Sequence, residues 1–192
     1  MQASGPEESD RESDWAFVRR HCAGDSDAFR QLYERYQDKV YASCYRILGE
    51  QTAAEDLAQE IFVKIYDELR RFKFQSKFST WLYRIAVNHA INRANEASRH
   101  GRIHEKIARE LPRETSGHSP MADRFMDDRV QKALMELSEK LRAIVALRYL
   151  EGLSYDEIAE VLEISIGTVK SRLFLAHETL RPLLKDVLEA GP

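Results

Sequence analysis

The sequence predicts an all-α protein built from two small helical domains joined by a flexible linker. Three observations carry this. Apolar residues recur at steps of three and four through most of the chain, and strand-like alternation is nearly absent. Glycine and proline are scarce, 8 and 5 in 192 residues, and Pro112, Gly117 and Pro120 fall together where the hydrophobic period fades. An apolar content of 43% supports packed cores, while 32% charged residues implies much exposed helix.

Composition also bounds function. A net charge of −3 does not mark a general nucleic-acid binder, but the total hides a local excess. From Arg70 to Arg113 there are eleven cations against three acids, a balance of +8. An excess this local suggests a polyanion partner. Cys22 and Cys44 lack metal-ligand spacing and read as reduced thiols of a cytoplasmic protein. No apolar run reaches membrane-spanning length, and the acidic start is unlike a signal peptide, so a soluble chain with no membrane insertion is expected.

In chain order, residues 1–13 are polar and acidic and are expected to be disordered. Asp14 to Ala23 reads as a short helix burying Trp15, Val18 and Cys22, ended by Gly24-Asp25. Asp27 is the expected cap of the next helix, whose face is Phe29, Leu32, Tyr33, Tyr36, Val40, Cys44 and Ile47, closed by Gly49. Thr52 to Arg71 is a third helix, with a capping box at Thr52 and Glu55 and a seam of Ala54, Leu57, Ala58, Ile61, Ile65 and Leu69. Asp56, Gln59, Glu60 and Lys64 lie off that seam, with Phe62 and Tyr66 flanking it. On spacing alone, an outward Phe62 among acids and amides is either a docking surface or a solvated face.

Phe72 to Asn95 is the most unusual stretch. A short loop carries Phe74, Lys77 and Phe78, and Ser79 or Thr80 can cap a helix beginning at Trp81. Arg84, Asn88, Asn92 and Asn95 recur at helical spacing on one face. Interleaved aromatics, cations and amides suit unpaired nucleic acid: rings stack on bases, cations follow phosphates, and amides bond to base edges. Residues 96–126 then read as linker, with a transient helix near Ile103 to Leu111. His100 and His104 have i, i+4 spacing, but with only Glu105 nearby and His118 distant, no metal or other cofactor is called.

Helix resumes from Asp127, first with Val130, Leu134 and Leu137, then from Ser138 with Leu141, Ile144, Val145, Leu147 and Leu150. Gly152 breaks it ahead of Ser154 to Ala176, which reads as two short helices about a tight turn. Ser154 and Glu157 make a capping box, Ile158, Ala159 and Leu162 share a face, Glu163-Ile164 turns, and Ser165 caps the second helix. Val169 and Leu173 point inward, leaving Thr168, Lys170, Ser171 and Arg172 to a partner. That is the layout of a helix-turn-helix, whose second helix reads base edges in the major groove. An ordinary helical hairpin is the plainer reading, opposed by small residues at the crossing and by the hydroxyl-and-cation set outside. The last helix continues to Leu188 with Pro182 bending it.

Two motifs, DLAQEIFVKIY followed by KFSTWLYRIAVNHAIN, and then LSYDEIAEVLEISIGTVKSRL, make the chain resemble the extracytoplasmic-function (ECF) sigma factors of the sigma-70 superfamily over roughly residues 25–185. The resemblance implies a region 2-like domain at 14–95, a linker at 96–126 and a region 4-like helix-turn-helix domain at 127–189. It implies core RNA polymerase as partner, through its clamp coiled coil and flap, with Asp56, Leu57, Gln59, Glu60 and Phe62 on the clamp-facing surface. It implies promoter DNA as a second partner. Phe74, Lys77, Phe78, Trp81, Arg84, Asn88 and Asn92 would capture the opened −10 strand, and Thr168, Lys170, Ser171 and Arg172 would read the −35 duplex. It further implies an anti-sigma factor, no enzymatic activity, and a linker that threads toward the polymerase channels. Glu163 stands where the family often has glycine, and His177 where an arginine is common. The rival reading is an autonomous helix-turn-helix regulator binding duplex operator DNA; a nucleic-acid enzyme using Asp56, Glu60 and Lys64 lacks any second cluster.

Overall fold

The computed structural model describes residues 6–105 and 128–185, with side chains over 14–99 and 129–185. Among these residues there are eight α-helices, one 3-10 turn and no strand, so the all-α expectation holds. Helix α1 spans Pro6–Cys22 and so begins within the stretch expected to be disordered. A proline at the first helical position suits such a start, because its missing N–H would have had no intrahelical acceptor. Its buried side chains include Asp14, Val18 and His21, whereas Cys22 is exposed, against expectation. The His21 ring takes the inner place, 5.5 Å from Phe29 and 4.8 Å from Tyr66. Buried Asp14 accepts hydrogen bonds from the Tyr36 hydroxyl at 2.6 Å and from Arg35 at 2.7 Å, fastening α1 to the next helix.

Helix α2 (Ser26–Leu48) is capped by Asp25, not Asp27: the Asp25 carboxylate accepts from the Asp27 backbone N–H. The hydrogen bond from Arg20, and its charge, hold that carboxyl below the usual range. Gly49 ends the helix with φ 78, a left-handed cap in which its N–H bonds to Tyr45. Residues Val40 through Ile47 are all buried, which a helix needs only when it is packed on every side. Here α1, α3 (Gln51–Glu68) and α4 (Phe78–Glu105) of the first half and α5 (Asp128–Met135) and α6 (Glu139–Tyr149) of the second all pack on α2.

Helix α3 (Gln51–Glu68) continues into a 3-10 turn at Leu69–Arg71. Its cap is Glu50, whose two carboxylate oxygens accept from Thr52 N and Ala53 N at 2.9 and 2.6 Å, displacing the box expected at Thr52. Helix α4 (Phe78–Glu105) starts three positions before Trp81, and Trp81 N bonds to the Lys77 carbonyl. It also continues past Glu96 to Glu105. The rest of the expected linker, and any role of His100, His104 or His118, lies outside the described side chains.

The second half comprises α5 (Asp128–Met135), α6 (Glu139–Tyr149), α7 (Tyr155–Leu162) and α8 (Ile166–Leu183). Ser138 is the N-cap residue of α6 but makes no side-chain cap bond. The capping box of α7 is formed on both sides: Ser154 N donates to Glu157 at 2.9 Å, and Glu157 N to Ser154 Oγ at 3.2 Å. Glu163 turns the chain with φ 53 and ψ 45, and Ser165 caps α8 through Thr168 N. Pro182 sits inside the last turn of α8, and Val187 and Leu188 fall outside the described residues. One hydrophobic cluster runs through both halves, from Val40, Cys44 and Leu82 to Ile144, Leu147 and Leu173.

Candidate polymerase and nucleic-acid interfaces

Three surfaces follow from this packing. The first is the outer face of α3. With Ala54, Leu57, Ile61 and Ile65 turned inward, Asp56, Gln59 and Glu60 are exposed and line a shallow depression with Val63, Lys64 and Asp67. Two expected members of the surface are not on it. Leu57 is 1% exposed and belongs to the core. Phe62, expected outward, is 6% exposed because Tyr33 of α2 lies edge-on to it at 4.8 Å. It forms part of a small cleft between α2 and α3 with Tyr41 and Ala58. Val63, 69% exposed, went unnoticed in the sequence, although its spacing from Gln59 and Glu60 puts it on their face. Glu60 is held by Arg93 of α4 at 2.7 Å. Lys64 donates to His89 at 3.0 Å, and burial with the Lys64 charge keeps that imidazole below its ordinary pKa.

The second surface is the loop before α4 and the first half of that helix. Phe72, Phe74, Phe78 and Trp81 form one aromatic cluster, with ring centroids 5.0 Å apart for Phe72 and Phe74 and 5.5 Å for Phe72 and Trp81. Phe78 is 1% exposed and supports the cluster from below, against Tyr36 at 5.4 Å. Phe74 adopts φ 55, a strained choice for an aromatic residue, and is clamped from the other side. Trp15 of α1 meets its ring edge-on at 6.0 Å, and the Arg19 guanidinium lies 5.2 Å from its centre. Asn88 and Asn92 are exposed about two and three turns beyond Trp81 along α4. Lys77 and Arg84 are only half-exposed, since α7 packs on α4 there.

The third surface is α8. Val169, Leu173, Ala176 and Leu180 are buried, which leaves Lys170 and Ser171 exposed and Thr168 and Arg172 at the flanks. Thr168 and Ser165 share a hydroxyl bond of 2.9 Å, so the first turn is rigid where a recognition helix meets base edges. Phe174, 68% exposed and one turn beyond Lys170 and Ser171, joins this face and was missed by a reading that looked for polar groups. His177 does not extend freely as a phosphate ligand would: it shares a 2.6 Å hydrogen bond with Tyr149 of α6.

The likenesses to known proteins divide along the same lines. The sigma-70 region 2 family model matches residues 32–100, and the sigma-70 region 4 model matches residues 127–180. The chain is 36% identical over 178 residues to the ECF RNA polymerase sigma factor SigW of Bacillus subtilis, covering 85% of this chain and 92% of that one. It is 36% identical over 189 residues to the RNA polymerase sigma-H factor of Pseudomonas aeruginosa, covering 92% and 98%. With the ECF RNA polymerase sigma-E factor of Escherichia coli K12 it shares 35% over 190 residues, covering 92% and 99%. Among solved structures it is similar to the sigma factor RpoE of Bartonella quintana, crystallised with the anti-sigma factor NepR. That match has a TM-score of 0.65 at 25% identity over 82% of this chain and 96% of that one. CnrH in complex with the cytosolic domain of CnrY, with a TM-score of 0.66 at 23% identity over 94% and 99%, shows the likeness of fold alone.

Proposed function

The chain belongs to the ECF group of the sigma-70 family and is an RNA polymerase sigma factor, and on that premise we propose how its three surfaces share the work of initiation. Asp56, Gln59 and Glu60 dock on the clamp coiled coil of core polymerase, with Val63 beside them and with Leu57 and Phe62 shaping the surface from beneath. The loop at Phe74 and the face of Trp81, Asn88 and Asn92, with Lys77 and Arg84, take up the opened −10 strand. Stacking and pocket contacts there offset the few kcal/mol of unstacking a base. Lys170 and Ser171, flanked by Thr168 and Arg172, read the −35 duplex, while the rest of residues 127–189 meets the polymerase flap. Residues 14–95 and 127–189 are the functional units, with 96–126 running between them.

The observation that carries the reading is that one chain holds a duplex-reading helix and, separately, an aromatic and amide surface suited to unpaired bases. An autonomous operator-binding regulator needs only the first. Each step of this work is binding rather than the making or breaking of a covalent bond in a substrate, so the chain serves as a non-enzymatic initiation factor, and it acts where polymerase is, in the cytoplasm. The structural relative bound to an anti-sigma factor supports a partner of the same kind here.

The test is transcription by purified core polymerase, with and without the chain, on fragmented host DNA with RNA starts mapped. Discrete new starts sharing elements at −35 and −10 are expected. Tight operator binding by the chain alone with no new starts points to the regulator. Arg172→Ala should weaken binding to the mapped −35 duplex by roughly ten-fold, the scale of one lost phosphate or base contact; unchanged affinity and preference would remove Arg172 from the site.

A further inference from the structure

The cleft between α2 and α3 holds two polar atoms that the fold leaves without partners. Tyr33, Tyr41 and Phe62 give it aromatic walls, and Gln37, Glu55 and Gln59 supply its polar groups. Its volume is about 70 Å³, room for about two waters at roughly 30 Å³ each or for one small planar head group. Tyr41 is 2% exposed, and its hydroxyl is buried with no hydrogen-bond partner. The same holds for Oε1 of Glu55, one turn before Gln59 on α3. Burial pushes the Tyr41 hydroxyl up to about 12, and the charges that add to this, from Glu55, Tyr45 and Glu50, all belong to acidic groups. The cleft is therefore aromatic, small and negative.

Those properties select a ligand. An anion would face the Glu55 carboxylate, and an apolar group would leave both buried oxygens unpaired. A cation suits them, because Glu55 gains an opposite charge and the ring faces attract positive charge. Among cations, a guanidinium is planar, stacks on aromatic faces, is more weakly hydrated than an ammonium and donates from several N–H groups at once. Tyr41, a neutral phenol at pH 7, accepts through its lone pair, and the Gln37 and Gln59 side-chain carbonyls offer further acceptors. We infer that the cleft between α2 and α3 is a binding site for one guanidinium group on an alkyl stem, taken up by Glu55 Oε1 and the Tyr41 hydroxyl. The stem leaves past Tyr33, whose ring is 37% exposed and stands edge-on to Phe62 at 4.8 Å.

Two sources share this chemistry. Gln59 also lines the neighbouring depression with Asp56 and Glu60, the surface assigned to polymerase docking, so an arginine of core polymerase can reach the cleft. A free alkylguanidine is the other source. The first rests on the docking reading; the site itself does not.

The probe is butylguanidinium, titrated into the full chain and followed by NMR of the Gln37 and Gln59 side-chain amides. N-Butylurea, which has the same shape without the charge, is titrated alongside. Saturable shifts with a Kd of about 1 mM are expected for the cation alone. Glu55→Gln should weaken its binding by roughly ten-fold or more, and Tyr41→Phe by several-fold. No saturation at roughly ten times that concentration, equal binding of the urea, or an unchanged Kd in Glu55→Gln overturns the inference and leaves the cleft to water. Core polymerase then separates the sources. If saturating butylguanidinium weakens polymerase binding to the unaltered chain and not to Glu55→Gln, the site serves a polymerase arginine; if polymerase affinity is unmoved, it serves a free small molecule. Asp56→Ala tests the docking face separately, since unchanged polymerase affinity in that variant shows that the docking reading has failed while the titration stands.

Discussion

Glu163 holds a backbone conformation that suits glycine better, with φ 53 and ψ 45 at the turn of the helix-turn-helix. A side chain there costs about 1 kcal/mol relative to glycine. Its ion pair with Arg84 offsets little of this, because the carboxylate is 69% exposed. Glu163→Gly should therefore raise the melting temperature by about 2–4 °C when measured at high salt, where the pair is screened; a lower melting temperature would mean that the pair outweighs the strain. Asn88 is a cleaner probe of function, since its side chain is exposed and lies outside the buried core. Asn88→Ala should slow promoter opening roughly ten-fold and relax −10 selectivity, on the scale of one lost amide–base contact. Core polymerase affinity should not change. If polymerase binding falls instead, the docking face and the DNA face have been exchanged.

At the scale of elements, α1 bears on the proposed −10 surface although it precedes the region 2 match, which begins at residue 32. Trp15 and Arg19 bracket Phe74 in its strained conformation, so α1 fixes the loop proposed to receive a base. Trp15→Ala should weaken binding of a single-stranded −10 oligonucleotide several-fold while leaving −35 duplex affinity intact, and Trp15→Phe should restore much of it by keeping an aromatic edge. Equal losses at both elements would point to general unfolding. Local chemistry of this kind is only partly legible in a sequence. The Ser154–Glu157 box could be read because both partners lie within one turn and nothing competes. The box at Thr52 could not, since Glu50, two positions earlier, reaches two N–H groups at once. The burial of α2 on every side was hidden for a different reason: Ser43 and Arg46 meet partners 108 and 85 residues away. Site residues divide the same way. Asn88, Asn92, Lys170 and Ser171 are exposed, as periodicity places them, while Leu57, Phe62 and Phe78 carry family motifs from inside the core. Val63 and Phe174 were overlooked because an apolar residue in a helix reads as core until packing shows its outer side.

For the molecule as a whole, the contact between halves should depend on pH in two opposed ways. Glu151 sits among Tyr83, Ser43 and Lys39, and burial pushes its carboxyl above the usual 4.5 despite hydrogen bonds that pull the other way. With the halves in contact it therefore holds a proton more tightly than with the halves apart, and closure of the two gains as pH falls through that raised value toward 4.5. Glu157 is the reverse case. The hydrogen bonds from Lys77 and Ser154 outweigh burial and hold it below 4.5, so its contribution to closure is complete above 4.5 and is lost as pH falls through the lowered value. The two windows lie on opposite sides of 4.5, so closure should be greatest near that pH and weaker both at neutrality and in stronger acid. Distances between spin labels on cysteines placed at exposed Gln31 and Glu178, followed from pH 7 downward, should shorten and then lengthen. Tyr83→Phe removes a bond that lowers the Glu151 value, so its upper limb should begin at a higher pH, while Lys77→Ala should move the lower limb toward 4.5. A profile that is flat in the unaltered chain, or that shifts in the same sense in both variants, would mean that neither carboxylate governs the contact. Where it is ionised, Glu151 is the less favourable of the two, a buried charge that the contact tolerates through two hydrogen bonds and that parting of the halves returns to water. The contact between the halves is thereby held short of its maximum stability above the raised value.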